Sequence, residues 1–352
     1  MGVFRFSNAV SDIRKFIQTY TVLYSELKNT KNFSHDDATD VLIKHGLVSS
    51  SGAIGEEAKK RSQRTDRSRD SLYNQHKMYS EIYRMLGWYE PGNKRTNFNF
   101  TEFGKYIIDA TDSLLIAHFE FSATHIVSPN PLVEVRGRNI LRPFPLILKL
   151  MNDMEGVITR DEIILGVLNC QNDKASGFYE RTLEYLTALR GSCARVKREI
   201  VRMKRSNDIT SDDTLKNYTR FPLASLRFLN WAEDKRNKEI YDKSINAYHI
   251  TDKGKKKVQE LQVCTDIRNE ELQGFSMDAR ASFTLLMIYI NLERIGYDIN
   301  NVEKFIEELT ENSKSILTKY GIKDKGKILY SAIQESQPNE LKEAHKLAKL
   351  ND

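Results

Sequence analysis

Arginines and side-chain amides gather in one stretch of this 352-residue chain. Arg61, Arg64, Arg67 and Arg69 lead into Ser71, Asn74, Gln75 and Lys77, which open a segment patterned as a helix. An arginine fork matches the paired acceptors of guanine, and an asparagine or glutamine amide matches adenine, so a helix opening on these groups is suited to reading base edges. A second block holds Arg195, Lys197, Arg198, Arg202, Lys204 and Arg205. There Arg195, Arg198, Arg202 and Arg205 share one stripe of a helix while Val196, Ile200 and Met203 line another. That stripe suits phosphate contact, with a salt-dependent strength. Asn217, Tyr218 and Arg220 precede a further apolar helix and are candidates for base contact, and Arg136, Arg138 and Arg142 sit in a loop that could follow the backbone. The same charges also suit solvated helix faces.

Groups able to cut a phosphodiester are harder to find. His118, Glu120 and His125 have metal-ligand chemistry, but His118 and Glu120 lie two apart in a helical pattern and point in different directions. A magnesium-dependent nuclease core needs an acid and, on a neighbouring strand, an acid-x-lysine. Glu340-Leu341-Lys342 has that spacing but falls in a helical pattern, and Asp324 and Lys325 sit in a short loop. No glycine-rich phosphate or dinucleotide fingerprint occurs, which argues against a nucleotide-driven motor. No catalytic residue and no metal ligand is therefore assigned.

The elements that would carry these groups are announced by an internal repeat. Met78, Ile82, Met85 and Leu86 in one copy, and Leu223, Leu226 and Leu229 in the other, mark an amphipathic helix. A tryptophan follows (Trp88, Trp231), then a polar segment, then a short alternating strand (Phe98 and Phe100; Tyr248 and Ile250). Each copy ends on Thr-acid-x-Gly-Lys: Thr101, Glu102, Gly104, Lys105 against Thr251, Asp252, Gly254, Lys255. A helix feeding a β-hairpin, with a threonine-capped helix after it, is a winged helix. The first wing tip, Gly92 to Arg95, is basic through Lys94 and Arg95. Upstream, Ile13, Phe16, Ile17, Tyr20, Tyr24 and Leu27 predict a helix, Ser34 predicts a cap for the helix closed by Gly46, and Thr159 with Glu162 predicts a capping box. The fold expected is mostly α with small β-hairpin wings (α+β). It places tandem winged-helix modules at 1–128 and 129–265, and a helical linker or docking domain at 266–352.

Composition sets the frame. Residues are 40% hydrophobic and 29% charged, with a net charge of +6. The basic residues collect into blocks: six against one acid from Lys59 to Arg69, seven against one from Arg190 to Arg205, and four lysines from Lys253 to Lys257. Such blocks are the electrostatic footprint of a phosphate-backbone binder. Three scattered cysteines support neither a disulfide framework nor a zinc site. No apolar run of membrane length and no secretory start occurs, so a soluble, cytoplasmic protein is expected.

Thr101 to Lys105, Asn130-Pro131-Leu132, the leucine-rich helix at Leu146 to Met151 and the capped helix at Thr159 to Leu168 resemble, in order, the recognition region of AlwI-type restriction and nicking endonucleases. Arg67-Ser68-Arg69-Asp70 is similar to that family's lead-in to its first recognition helix, and the resemblance spans residues 50 to 260. It implies double-stranded DNA with a short asymmetric site as partner, and cleavage at a fixed distance outside that site, as in type IIS restriction-modification systems. It also implies a Mg2+-dependent nuclease domain C-terminal to the recognition and linker regions. That core is not recognisable in the sequence, so hydrolysis is expected from a nuclease domain or subunit not seen here, and no cofactor is expected for the chain itself. A non-catalytic winged-helix transcription regulator and a divergent complete nuclease are the competing readings. A regulator would meet a palindrome as a symmetric dimer, whereas two non-identical modules favour asymmetric reading by a monomer.

Overall fold

Ile13, Phe16, Ile17, Tyr20 and Leu23 recur at helical spacing and form the buried face of helix α1 (Ile13–Leu27). The computed structural model describes residues 3–262 apart from 8–9, 63–69, 95, 106, 109, 129, 131–132, 134–138, 174 and 210–211. Strand β1 (Phe33–Ser34) passes directly into α2 (His35–Lys44). Ser34 and Asp37 make the reciprocal capping box there, at 2.7 and 3.2 Å, and Gly46 at φ +64° follows the helix end. A small hairpin of β2 (Ser49–Ser50) and β3 (Ala53–Ile54) then leads into α3 (Gly55–Arg61). The long helix α4 (Ser71–Met85) feeds the wing, β4 (Tyr89–Pro91) and β5 (Asn97–Phe100), followed by α5 (Glu102–Lys105) and α6 (Asp112–Thr124). The sheet order is β1-β5-β4, all antiparallel, so the second wing strand is central.

The second module repeats this plan. Helix α7 (Pro143–Asp153) precedes β6 (Val157–Ile158) and α8 (Arg160–Ile163), which continues as a π-helical turn through Leu168. Thr159 and Glu162 form the expected capping box at its start. After an inserted pair of helices, α9 (Phe178–Leu189) and α10 (Cys193–Ser206), come α11 (Asp212–Tyr218) and α12 (Arg220–Phe228). The wing is β7 (Ala232–Asn237) and β8 (Ile245–Ile250), closed by α13 (Asp252–Gln262), and the sheet order is β6-β8-β7. The fold is thus mostly helical with small antiparallel sheets, two winged helices in tandem. The helical segment predicted from residue 266 lies outside the described residues.

The two copies of the repeat share one junction, bond for bond. Gly87 and Asn230, the residues before the tryptophans, both take the left-handed conformation that ends a helix, at φ +76° and +54°. Trp88 and Trp231 are fully buried, and their carbonyls accept from Thr101 N and Thr251 N at 3.0 Å in each copy. The threonine hydroxyls donate to Gly87 O and Asn230 O, both at 2.6 Å, and accept from Gly104 N and Gly254 N at 2.9 and 3.0 Å. Each glycine lies against backbone: a Cβ at Gly104 would stand 2.8 Å from Trp88 O and 2.0 Å from Tyr20 Oη, and one at Gly254 2.2 Å from Trp231 O.

Aromatic rings fuse the modules. Phe221 of the second module has ring centroids of the N-terminal Phe6 at 5.3 Å, of Phe16 at 6.2 Å and of Phe119 at 6.3 Å. Phe144 completes the cluster, 6.0 Å from Phe221. At the edge of this shared core, Glu120 of α6 reaches Lys253 at 2.9 Å and Lys257 at 2.6 Å on α13. Part of the third lysine block is therefore spent on joining the modules. No helix among the described residues is long and apolar enough to cross a membrane.

Candidate nucleic-acid interface

At the first module, the base-reading end predicted by sequence is the start of α4. Asp70 caps it, accepting from Leu72 N at 2.8 Å. Of the residues predicted to read bases, Lys77 is exposed and Asn74 half-buried. Gln75, half-buried, and Ser71, exposed, are both engaged by the neighbouring hairpin. The Gln75 amide donates to Ser49 O at 2.6 Å and its carbonyl accepts from Ser49 N at 3.4 Å, while Ser71 Oγ meets Ser50 Oγ at 2.5 Å. These contacts pin the β2–β3 hairpin against the N-terminus of α4. Arg61 donates to Ser51 O at 3.3 Å and pairs with Glu57 one helical turn back. Arg64, Arg67 and Arg69 lie outside the described residues, as does Arg95 of the wing tip. Lys94 beside it is exposed, and Asn93 N donates to Asn32 Oδ1 at 2.8 Å, which ties the wing to the turn before β1.

Beneath this end of α4 two histidines face each other. His35 Nδ1 and His76 Nδ1 are 3.0 Å apart, so one ring donates and the other, which must be neutral, accepts. Burial, with Arg84 and Lys77 nearby, pushes His35 down to about 4, and burial drives His76 well below the ordinary range.

At the second module the basic stripe is real and outward. Val196 and Met203 are buried and Ile200 half-buried, so α10 presents Arg195, Lys197, Arg198, Arg202 and Arg205 to solvent, with Lys204 half-buried. Lys197, Arg198, Arg202, Arg205 and Ser206 surround the exposed Val201 and line a shallow hollow of ≈ 510 Å³. Among the described residues Lys197, Arg198 and Arg205 form no ion pair, and Arg202 is 3.9 Å from Glu199. Arg220 at the start of α12 is exposed; Asn217 and Tyr218 are half-buried, with Tyr218 packed on the core.

The basic helix is fixed to its wing through one buried carboxylate, which sequence reasoning read only as a cap. Glu162 accepts from Thr159 N at 2.7 Å, from Arg190 Nε at 2.9 Å and from the Tyr241 hydroxyl at 3.1 Å. Arg190 also donates to Met154 O and Val157 O. Gly191 N donates to Ile240 O at 2.8 Å and Cys193 N to Asp242 Oδ1 at 3.2 Å, so the wing tip folds back onto the turn that begins α10. Arg190, counted in the basic block by sequence, is an internal tie.

The loop arginines divide. Arg142 is buried, donating to Thr124 O at 3.2 Å, with its own N–H on Asp173 at 2.7 Å, so it is not a cation following a backbone. Arg136 and Arg138 lie outside the described residues. His118 is also structural: its Nε2 bonds Phe103 O at 2.8 Å, its ring stacks on Phe103, and burial lowers its pKa to about 4. With Glu120 held by two lysines and His125 bonded to Phe121 O at 2.9 Å, this trio does not converge on a metal. Among the described residues no group of three His, Cys, Asp or Glu side chains could hold an ion. Asp324, Lys325, Glu340 and Lys342 lie outside them.

No family model and no curated protein matches the sequence. Among solved structures the chain is similar to the BpuJ1 endonuclease binding domain in complex with modified DNA, at 14% identity and a TM-score of 0.43, over 74% of this chain and 84% of that one. It is also similar to the restriction endonuclease FokI bound to DNA, at 18% identity and a TM-score of 0.38, and to FokI in a second structure, at 15% and 0.38. Those two alignments cover 90% of this chain but only 60% and 61% of the FokI chains.

Two features of the site were missed at the level of sequence. The hairpin Ser49–Ile54 lies between two helices as a run of serines and glycine, a signal that reads as an ordinary turn. The partnership of Glu162 with Arg190 and Tyr241 joins residues 28 and 79 positions apart, which no local pattern announces.

Proposed function

We propose that this chain recognises a short asymmetric sequence in double-stranded DNA, as the DNA-binding part of a type IIS restriction or nicking endonuclease. The observation that carries the reading is the fusion of two winged helices, alike in plan but different in their insertions, into one body with a shared aromatic core. One module offers the start of α4 and the wing with Lys94; the other offers the exposed cations of α10 beside Arg220. Two unlike surfaces held in fixed relation match a site without two-fold symmetry, which a monomer can read. The contacts on α10 are to phosphates, which position the protein, while base edges are met from α4. The endonuclease part of the proposal rests on the resemblance of residues 50–260 to the recognition region of AlwI-type enzymes. Under it, Mg2+-dependent hydrolysis belongs to a nuclease domain or partner subunit, and no step is assigned to the residues described.

The test is selection of the purified chain on a randomised duplex pool, with and without magnesium, sequencing bound and cut fractions. The expected result is one short asymmetric site, bound and not cut; cutting at a fixed offset would place the nuclease in this chain. A palindromic site would favour a dimeric transcription regulator, and the absence of any preferred sequence would remove the recognition reading.

A further inference from the structure

The β2–β3 hairpin stands where a helix-turn-helix ordinarily has a short turn, and it is built to be rigid. Its two central residues, Ser51 and Gly52, sit at φ +52° and +73°, the conformation of a primed two-residue turn. Gln75 and Ser71 of α4 hold its first strand, and Arg61 of α3 holds Ser51 O. The side chains predicted to contact bases at the start of α4 thus extend the reading surface by one more element.

The outer face of the hairpin carries an unusual pair. Ser49 and Ile54 are directly opposite in the ladder, as are Ser50 and Ala53. Opposed residues project to the same side. Ala53 is buried, so Ser49 and Ile54 face outward. Ile54 is 62% exposed, the most exposed large hydrophobic side chain among the described residues. Its Cγ2 lies 3.6 Å from where a Cβ on Gly46 would be. The Ser49 hydroxyl forms no hydrogen bond within the described residues. The pair adjoins the start of α4, which Asp70 caps, and Glu56 and Glu57 follow it in α3 before Lys59, Lys60 and Arg61, with Glu57 paired to Arg61 and Lys59 to Asp40.

We infer that Ser49 and Ile54 together read one thymine in the major groove, an inference that rests on the DNA-recognition reading above. Thymine is the base that presents an acceptor, O4, beside a methyl group. A hydroxyl donor and a β-branched apolar side chain, set side by side on a rigid hairpin, match those two features.

The experiment uses the full chain and the site selected from the random pool, with each thymine replaced in turn by uracil, which lacks only the methyl. At one position the replacement weakens wild-type binding roughly four-fold, the value of one buried methyl group. Ile54→Ala loses that discrimination and binds the thymine and uracil duplexes alike, with an unchanged melting temperature. Ser49→Ala keeps the discrimination against uracil but weakens binding to the thymine and uracil duplexes by the same factor, since the hydrogen bond to O4 is common to both. If no thymine is sensitive to demethylation, or if Ile54→Ala still discriminates, the hairpin is not a reader although recognition stands. If the wild-type chain selects no site at all, the recognition reading fails and this inference with it.

Discussion

A buried neutral histidine is a proton acceptor that folding has disabled, and His35, His76 and His118 are three such among the described residues. His35 and His76 share one hydrogen bond between Nδ1 atoms, and His118 is spent on Phe103 O. Their folded-state pKa values lie below the ordinary 6.5, so the unfolded chain binds protons more readily than the folded one. Stability is therefore complete above pH 6.5 and is lost as the pH falls from 6.5 toward 4. Urea midpoints measured across that window should decline, and His35→Gln should flatten the slope by about 1.4 kcal/mol per pH unit. A pH-independent midpoint would mean that the rings titrate normally. The Glu162–Arg190 pair tests burial in a second way. Arg190→Met leaves a carboxylate with no exposed surface facing an apolar chain, which costs about 3–5 kcal/mol in equilibrium unfolding. Lys216→Met, at an exposed pair with Asp213, costs less than about 1 kcal/mol.

Elements were legible from sequence where their cause is local. The Ser34 and Thr159 capping boxes span three residues, and the amphipathic faces of α1, α4 and α12 repeat every three or four, so both could be read directly. The Thr-acid-x-Gly-Lys motif disclosed the repeat because its threonine and glycine answer to one junction. What stayed hidden is long-range. The roles of Gln75, Arg142 and Arg190 depend on partners 18 to 36 residues away, and a polar side chain looks the same in sequence whether it faces solvent or a carbonyl. The junction itself gives a prediction. Gly104→Ala and Gly254→Ala each drive a methyl into a tryptophan carbonyl, and each should destabilise by at least the about 1–3 kcal/mol typical of overpacking. Gly52→Ala, with nothing within 4 Å, strains only the backbone and should cost less. Helix α10 makes a different demand. If its cations meet phosphates, Arg198→Ala should weaken binding evenly across all sequences and reduce the salt slope by about one. A change in sequence preference would instead place Arg198 at a base.

At the scale of the whole molecule, the question is whether two modules act as one reader or as two. A flexible tether would let each module find its own contacts, so that the spacing between the two parts of the site could vary. Here Phe221 of the second module is packed among Phe6, Phe16 and Phe119, and the ion pairs of Glu120 with Lys253 and Lys257 close the edge of the same interface. Sliding one module past the other would expose these rings and separate a carboxylate from both its cations. The distance and angle between α4 and α10 are consequently fixed by the core. Inserting one base pair between the two contacted parts of the site moves them apart by about 3.4 Å and rotates one against the other by about a tenth of a turn. A rigid reader cannot follow both, so affinity for the lengthened duplex should fall toward the non-specific level, commonly about 10³-fold or more weaker. Competition binding with duplexes carrying spacers one pair shorter and one pair longer measures this directly. Equal affinity for all three would show that the modules separate on DNA, and that the aromatic interface opens when the protein binds.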